Sequence, residues 1–270
     1  MPELPEVETT VRALREPLIG STIVGVRSDW PRQIVTPDLP ELQARIHGLH
    51  IQAINRRGKY LVFNLSGQET LIIHLKMSGH LAVTGADAPQ SKHVHSVFSL
   101  ADGRELRFRD TRKFGRIYLV TDPSEILGKL GPEPLSPEFT AETLRQRLAG
   151  RKRAIKPLLL DQTILAGIGN IYADESLFYA GLDPRRPADS LTPADLSRLH
   201  AAIQKVLKLG IAREGASIDL YVKPDGTKGD MQNAVAVFRR TGLPCYQCQT
   251  PITRIVLGGR STHFCPHCQR

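Results

Sequence analysis

Two groups of residues in this chain have the types and spacing for chemistry: Pro2-Glu3 at its start and four cysteines near its end. If Met1 is removed, Pro2 becomes a secondary amine with a carboxylate beside it. An α-amino group has a reference pKa of about 7.7–8.0, against about 10.4 for lysine, so far more of it is free base near neutrality. A secondary amine that attacks a sugar C1′ gives an iminium that is cationic without further protonation. That is a ready electron sink for elimination. The cysteines read Cys245-x2-Cys248 and Cys265-x2-Cys268, with residues 249–264 between the pairs. This is the spacing of a four-thiolate zinc site. His263 and His267 are ligands by type, but two complete pairs make them unnecessary. Four thiolates leave no open position for water, so such a zinc is structural.

The charge balance points to the partner. Lys plus Arg number 36 against 27 acids, a net charge of +9 and a pI near 9.6. That composition favours a polyanion such as nucleic acid. No apolar run reaches the roughly 18 residues of a membrane span, and no secretory signal precedes the fold. An intracellular location with no membrane partner is the expectation. Cysteines crowded at one end suit a local metal site better than a disulfide framework. A chain of 270 residues suits two domains, or one with a small appendage.

These groups need elements to hold them. Pro5 fits the first turn of a helix, Val7, Val11, Leu14 and Leu18 follow at helical spacing, and Pro17 marks its end. From Ser21 to Val120 the texture is short and alternating. It predicts strands at 22–26, 50–54, 60–65, 71–75, 95–100, 105–109 and 116–120, with hairpin turns at Ser66-Gly67 and Asp102-Gly103. Many short strands with turn signals indicate a sandwich or barrel. Three prolines and a glycine between Leu130 and Pro137 read as a linker, after which the chain turns helical. Thr140 is an N-cap with Phe139 and Leu144 as a hydrophobic staple. Arg151, Lys152, Arg153 and Lys156 form a basic cluster ahead of a Gly-rich turn. Asn170 is expected to cap the next helix and Gly181 to end it. A helix N-terminus beside Lys156 is a phosphate site. Thr192 and Asp195 form a capping box for a helix running to about Leu209. Ile211 to Gln232 are poor in core formers and read as a mobile loop. Gly258-Gly259 closes a hairpin between the cysteine pairs, leaving Arg260 at the tip of a metal-braced ribbon.

The string Pro2-Glu-Leu-Pro-Glu-Val-Glu8 resembles the amino terminus of the formamidopyrimidine-DNA glycosylases, which excise oxidised purines from DNA. Arg56-Arg57-Gly58-Lys59-Tyr60, His74-Leu75-Lys76-Met77-Ser78-Gly79 and Asp110-Thr111-Arg112-Lys113-Phe114-Gly115 resemble further motifs of that family. So do Ile155-Lys156-Pro157 with Thr163 to Glu175, similar to its helix–two-turn–helix element, and Arg260-Ser-Thr-His-Phe-Cys-Pro, similar to its zinc finger. The motifs fall in the family's order from residue 2 to residue 269.

The resemblance implies roles. Pro2 would be the nucleophile, Glu3 the acid/base, Lys59 a proton donor in β-elimination, and Arg260 a phosphate contact implicated in δ-elimination. Met77, Arg112 and Phe114 would enter the duplex where the damaged nucleotide has left, replacing lost stacking and pairing. Arg151, Lys156 and Asn170 would grip the backbone. His93 matches a DNA-binding position, whereas His95, one strand step on, is read as solvated surface. The loop around Lys223 to Gly229 corresponds to one that closes over the extruded base. Two departures stand out: Lys113 replaces a second Arg of many relatives, and Phe238 replaces a Tyr.

The expected architecture is an α+β multidomain protein. Residues 2–131 would form a catalytic β-sandwich with an N-terminal helix, 132–137 a linker, 138–232 a helical DNA-binding domain and 236–270 a zinc finger. The expected protein is a monomeric glycosylase and apurinic/apyrimidinic lyase acting on damaged double-stranded DNA, cytoplasmic and nucleoid-associated, with one structural Zn2+. Two other readings remain: an endonuclease VIII-like enzyme for oxidised pyrimidines, and a zinc-containing nucleic-acid-binding protein without catalysis.

Overall fold

The computed structural model describes all 270 residues and divides into two compact units. The first holds Met1–Lys129 and Arg213–Asp230; the second holds Leu130–Ala212 and Met231–Arg270. No helix is long and apolar enough to cross a membrane.

The first unit opens on helix α1 (Leu4–Leu18), whose Val7, Val11, Leu14 and Leu18 are fully buried. Pro17 sits inside the last turn rather than stopping the helix before it. The strands are β1 (Thr22–Ser28), β2 (Ile34–Thr36), β3 (Leu49–Arg57), β4 (Tyr60–Leu65), β5 (Thr70–His74), β6 (Gly79–Gly85), β7 (Val94–Leu100), β8 (Arg104–Asp110) and β9 (Arg116–Val120). Helix α2 (Leu39–Ile46) lies between β2 and β3, and a short helix α3 (Ser124–Leu127) follows β9. Seven strands fall where the alternation predicts them, within a residue or so at most ends; β3 and β1 run longer. Strands β2 and β6 are not foreseen. The first is only three residues long, and the second starts inside a Gly-containing motif and carries His, Ala, Thr and Gly.

Strand order is β2-β9-β5-β4-β3-β1-β7-β8-β6. Only two residue pairs join β3 to β1, Thr22 with His50 and Ile23 with Leu49. That thin seam divides the order into two sheets. Inward side chains of both, including Phe63, Leu71 and Ile73 from one and Phe98, Leu106 and Phe108 from the other, share one core with α1. The result is the expected sandwich.

In the second unit the helices are α4 (Ala141–Leu148), α5 (Ile155–Leu159), α6 (Asn170–Ala180) and α7 (Pro193–Ala212), followed by the hairpin β10 (Thr253–Leu257) and β11 (Arg260–Phe264). The Thr140 hydroxyl accepts the Thr143 N–H at 3.1 Å, and Phe139 and Leu144 are both buried as a staple requires. Thr192 and Asp195 exchange bonds of 2.9 and 3.2 Å at the start of α7. Gly181 ends α6 at φ +70°, a left-handed conformation that favours glycine. Gly258 and Gly259 both have positive φ, as a two-residue hairpin turn requires.

One expectation is corrected. The N-cap of α6 is Gly169, and Asn170 is its first helical residue, because its side chain is bonded to the zinc ribbon instead of to a helix amide. Residues 213–230, expected at the end of the helical domain, are grouped by their contacts with the first unit. They pack with the sheet unit, where the Ala216 N–H donates to the Glu6 carboxylate at 2.8 Å.

Candidate active site and nucleic-acid interface

Helix α1 presents the amino terminus. Pro2 and Glu3 are buried, and the Glu3 N–H donates to the Glu6 Oε2 at 2.7 Å, the reach-back bond of a capping box. The other oxygen of Glu6 takes the Ala216 amide. One buried carboxylate therefore ties the residue next to Pro2 to the 213–230 loop. Farther along, Arg15 Nε donates to the Ile54 carbonyl at 2.9 Å, and Arg56 Nε lies 3.0 Å from Glu8 Oε2. Burial pushes the Glu8 carboxyl up, but Arg12 and Arg56 outweigh it and hold the pKa below its usual value. These bonds fasten α1 to the β3–β4 hairpin, whose turn carries Lys59. Pro2, Glu3 and Lys59 are thus carried by one rigid frame. Lys59 is only 5% exposed. His74, on β5 beside β4, is held neutral with a pKa lowered to about 3 by burial, then by Lys76, Lys59 and Arg116. Its Nδ1 accepts the Lys76 N–H at 2.9 Å, and its ring meets Tyr60 edge-on.

The wedge loops are organised by Asp110, a residue quoted in a motif but given no role by sequence reasoning. Its buried carboxylate accepts from the Ser78 hydroxyl, from the Arg112 N–H at 3.3 Å and from the Gly115 N–H at 2.6 Å. Its own N–H donates to the His93 carbonyl at 2.8 Å. One carboxylate thereby sets the Met77 turn, the Arg112–Phe114 loop and the backbone of His93. A Cβ on Gly115 would lie 2.5 Å from the Phe108 ring, so the loop leaves the sheet at a place where only glycine fits. Phe114 is 44% exposed, Arg112 is exposed with its guanidinium 4.8 Å over the Phe114 ring, and Met77 is half-buried. Lys113, at φ +58°, lies over the Trp30 ring at 4.3 Å. His95 is corrected: it is buried, with Nδ1 bonded to Asp29 at 2.8 Å, because it points into the interior from β7.

In the second unit Arg151 is exposed, its Nε on the Arg147 carbonyl at 2.9 Å. Lys156 is corrected. Its side chain is 0% exposed, with Nζ 2.7 Å from Asp174, 2.7 Å from the Ser261 carbonyl and 2.8 Å from the Thr262 hydroxyl. An ammonium spent this way holds protein rather than phosphate. Asp174 also accepts the His263 N–H at 2.9 Å, and Asn170 Nδ2 donates to the Ser261 carbonyl at 3.0 Å. Together they dock β11 on α6. Phe238 is buried edge-on to His263, so the ring packs without the hydroxyl. Asp174 lay inside a recognised motif, but nothing local announced its partner far along the chain. Removing one member of a fully buried pair typically costs about 3–5 kcal/mol. Lys156→Ala should therefore lower the stability of the second unit by about that amount. Urea unfolding checks it, and an unchanged midpoint would mean that the pair does not hold the ribbon.

Arg260 is exposed at the start of β11, paired in register with Leu257 across the turn. Behind it, the four Sγ atoms lie within 4.8 Å of one another. Cys245–Cys268 and Cys248–Cys265 separations are 3.9 and 3.4 Å, far beyond a disulfide bond. Tetrahedral zinc with Zn–S near 2.3 Å requires about 3.8 Å between sulfurs. Four thiols gathered around that spacing are a donor set that fits zinc. His263 is committed to Asp174 and His267 is exposed and outside the cluster, so neither is a ligand.

The chain matches three family models: the formamidopyrimidine-DNA glycosylase N-terminal domain over residues 1–117, the H2TH domain of the same glycosylases over 130–222, and the zinc finger found in FPG and IleRS over 242–270. It is 50% identical to the formamidopyrimidine-DNA glycosylase of Symbiobacterium thermophilum, over 100% of this chain and 89% of that protein. It is 46% identical to that of Geobacillus kaustophilus over 100% of both. A Lactococcus lactis Fpg structure in complex with Fapy-dG-containing DNA superposes with a TM-score of 0.92 at 38% identity, covering 99% of this chain and 100% of that one. A complex of the same species' Fpg with DNA containing an abasic site gives 0.93 at 38% identity, over 99% of both chains.

Proposed function

Because the chain belongs to the formamidopyrimidine-DNA glycosylase family, we propose that Pro2, freed of Met1, is the nucleophile with which it excises oxidised purines from duplex DNA. The protein is a bifunctional glycosylase and apurinic/apyrimidinic lyase, and its partner is damaged double-stranded DNA. The single observation that carries the residue assignment is the buried Glu3 terminus. The Glu6 carboxylate holds its N–H, and the same helix is fastened to the hairpin that bears Lys59.

In the proposed reaction the Pro2 nitrogen attacks C1′ of the extruded nucleotide. Glu3 gives a proton to the sugar ring oxygen, the base leaves with the C1′–base bonding pair and takes up the proton that the Pro2 nitrogen loses, and an iminium links Pro2 to the opened sugar. The cation acidifies C2′, whose proton leaves as the 3′ phosphate departs. A second elimination expels the 5′ phosphate. Lys59 supplies a proton in the first elimination, and Arg260 binds the phosphate flanking the lesion. Phe114 and Met77 enter the vacated stack while Arg112 addresses the orphaned base. These side chains sit on two loops already fixed by Asp110, so little ordering remains to be done on binding. Arg151, Asn170 and His93 complete the backbone contacts, and Lys156 acts by holding β11. Zinc braces the ribbon and takes no part in bond-making. We read the protein as a monomer, since no motif suggests self-association.

Duplexes carrying 8-oxoguanine or thymine glycol, cleaved side by side, test the substrate class. Faster cleavage of 8-oxoguanine is expected. Preference for thymine glycol would overturn the purine assignment in favour of an endonuclease VIII-like activity.

A further inference from the structure

The 213–230 loop is fastened at several places: Ala216 near its neck, the buried Tyr221, whose hydroxyl bonds to Thr9 and Thr10 of α1, and Lys223 near its tip. Its neck is closed by the Asp230 N–H on the Arg213 carbonyl at 2.8 Å and by contact between Gly215 and Gly229. A Cβ on Gly229 would lie 2.3 Å from the Gly215 oxygen. Near the neck, Ala216 is held by Glu6, as described above. At the other end, residues 223–227 form a self-contained turn. The Lys223 N–H donates to the Thr227 carbonyl and the Gly226 N–H to the Lys223 carbonyl, both at 2.8 Å, and Asp225 caps Thr227. That turn is not packed down. A cavity of about 450 Å3, bordered by Val94, Arg109, Val222 and Gly226, lies beside it. The bond joining residues 222–228 to the sheet comes from His80 on β6, whose Nε2 is 2.9 Å from the Lys223 carbonyl oxygen.

A carbonyl only accepts, so Nε2 of His80 carries a proton. Burial and the nearby Arg109 lower the His80 pKa, opposed by the Lys223 carbonyl and Asp225, which keeps the ring in its neutral form near pH 7. None of the motifs that carry the family resemblance includes His80. We propose that His80 is a positioning residue for base excision: its Nε2–H hooks the 223–227 turn and thereby holds the loop against the Glu3 end of helix α1. The loop is tethered to α1 at Glu6, one helical turn from the nucleophile, and at Tyr221, while its 223–227 turn, paired to Glu214 through Lys223, is hooked to β6 by His80 beside a cavity. The inference rests on the glycosylase reading above, with the extruded base placed at that terminus.

The test compares two substrates under single-turnover, enzyme-saturating conditions: a duplex with 8-oxoguanine and a duplex with a preformed abasic site. An abasic sugar offers the loop no base to enclose. One hydrogen bond is worth roughly 0.5–1.5 kcal/mol, so His80→Ala should slow excision by up to about tenfold. Cleavage of the abasic duplex should stay at the wild-type rate. His80→Gln, whose amide N–H reaches a similar place, should recover most of the loss. Trypsin should also cut after Lys223 or Lys228 sooner in His80→Ala than in the wild type. Wild-type excision by His80→Ala, equal losses on both duplexes, or a glutamine variant no better than alanine would each overturn the proposal. A wild-type protein that forms no borohydride-trapped adduct on abasic DNA would instead overturn the glycosylase reading itself.

Discussion

Retaining Met1, or adding any residue ahead of Pro2, is expected to abolish the borohydride-trapped adduct with DNA and to lower strand cleavage by at least about 10³-fold. The cause is electronic. With a residue before it, the Pro2 nitrogen is an amide whose lone pair is delocalised into the carbonyl. It then has neither the basicity nor the nucleophilicity of the free terminus. An ordinary lysine, at about 10.4, is mostly protonated near neutrality and makes a poorer nucleophile than a free terminus. Pro2→Gly should lower trapped adduct and cleavage as well, since the imine formed by a primary amine must be protonated before it becomes an electron sink. Zinc content and duplex binding should survive both changes, because neither the cysteines nor the exposed Arg112, Phe114 and Arg260 depend on the first residue. That split separates catalysis from binding. A tagged protein that still traps and nicks at the untagged rate would refute the Pro2 mechanism. A non-catalytic binding protein predicts no adduct from either form.

What could be read from the sequence follows the range of the forces involved. Short runs of aromatic and branched residues mark the strands Tyr60–Leu65 and Arg116–Val120 to the residue, and the Thr140 and Thr192 caps are local hydrogen bonds announced by local residues. The zinc site was legible because C-x-x-C fixes its own geometry. Long-range pairings were not. Lys156 looked like one more cation in a basic run, yet its partner Asp174 and the Ser261 carbonyl come from α6 and β11, and they turn a surface charge into a buried clamp. His95 and Asp29 meet only because β7 pairs with β1. The 213–230 segment, poor in apolar residues, reads as loose. It is ordered by polar fastenings to Glu6 and His80 that no periodicity encodes. The role of Asp110 was hidden for the same reason: its three acceptor bonds go to two loops separated in sequence by the length of β6, β7 and β8.

Removal of the metal, by a strong chelator or by Cys248→Ala, should cost at least about 10²-fold in strand cleavage while leaving the sheet unit folded. The ribbon has little else to hold it. Strands β10 and β11 have five residues each, and a lone two-stranded hairpin is marginal in water. The cluster behind it is small, built on Phe178, Ala236, Val237 and Ile252 with two of the cysteines. Structural zinc supplies roughly 10–16 kcal/mol in small metal-folded domains, as much as the whole stability of an ordinary protein. Without it, four sulfurs within 4.8 Å would repel one another whenever they ionised. The loss should nonetheless be local. Asp174 and Lys156 can keep their pair on the helical side, whereas their bonds to Ser261, Thr262 and His263 depend on β11 being formed. Amide exchange should therefore accelerate in 253–264 and at the C-terminal cysteines, and hardly at all in β4, β5 or β9. Arg260 would then no longer be presented on a rigid turn, and that is where the activity goes. Restoring zinc to the chelated protein should restore cleavage, whereas Cys248→Ala should not recover. A metal-free protein that nicks at the wild-type rate, or one whose sheet unit melts together with the ribbon, would contradict this account.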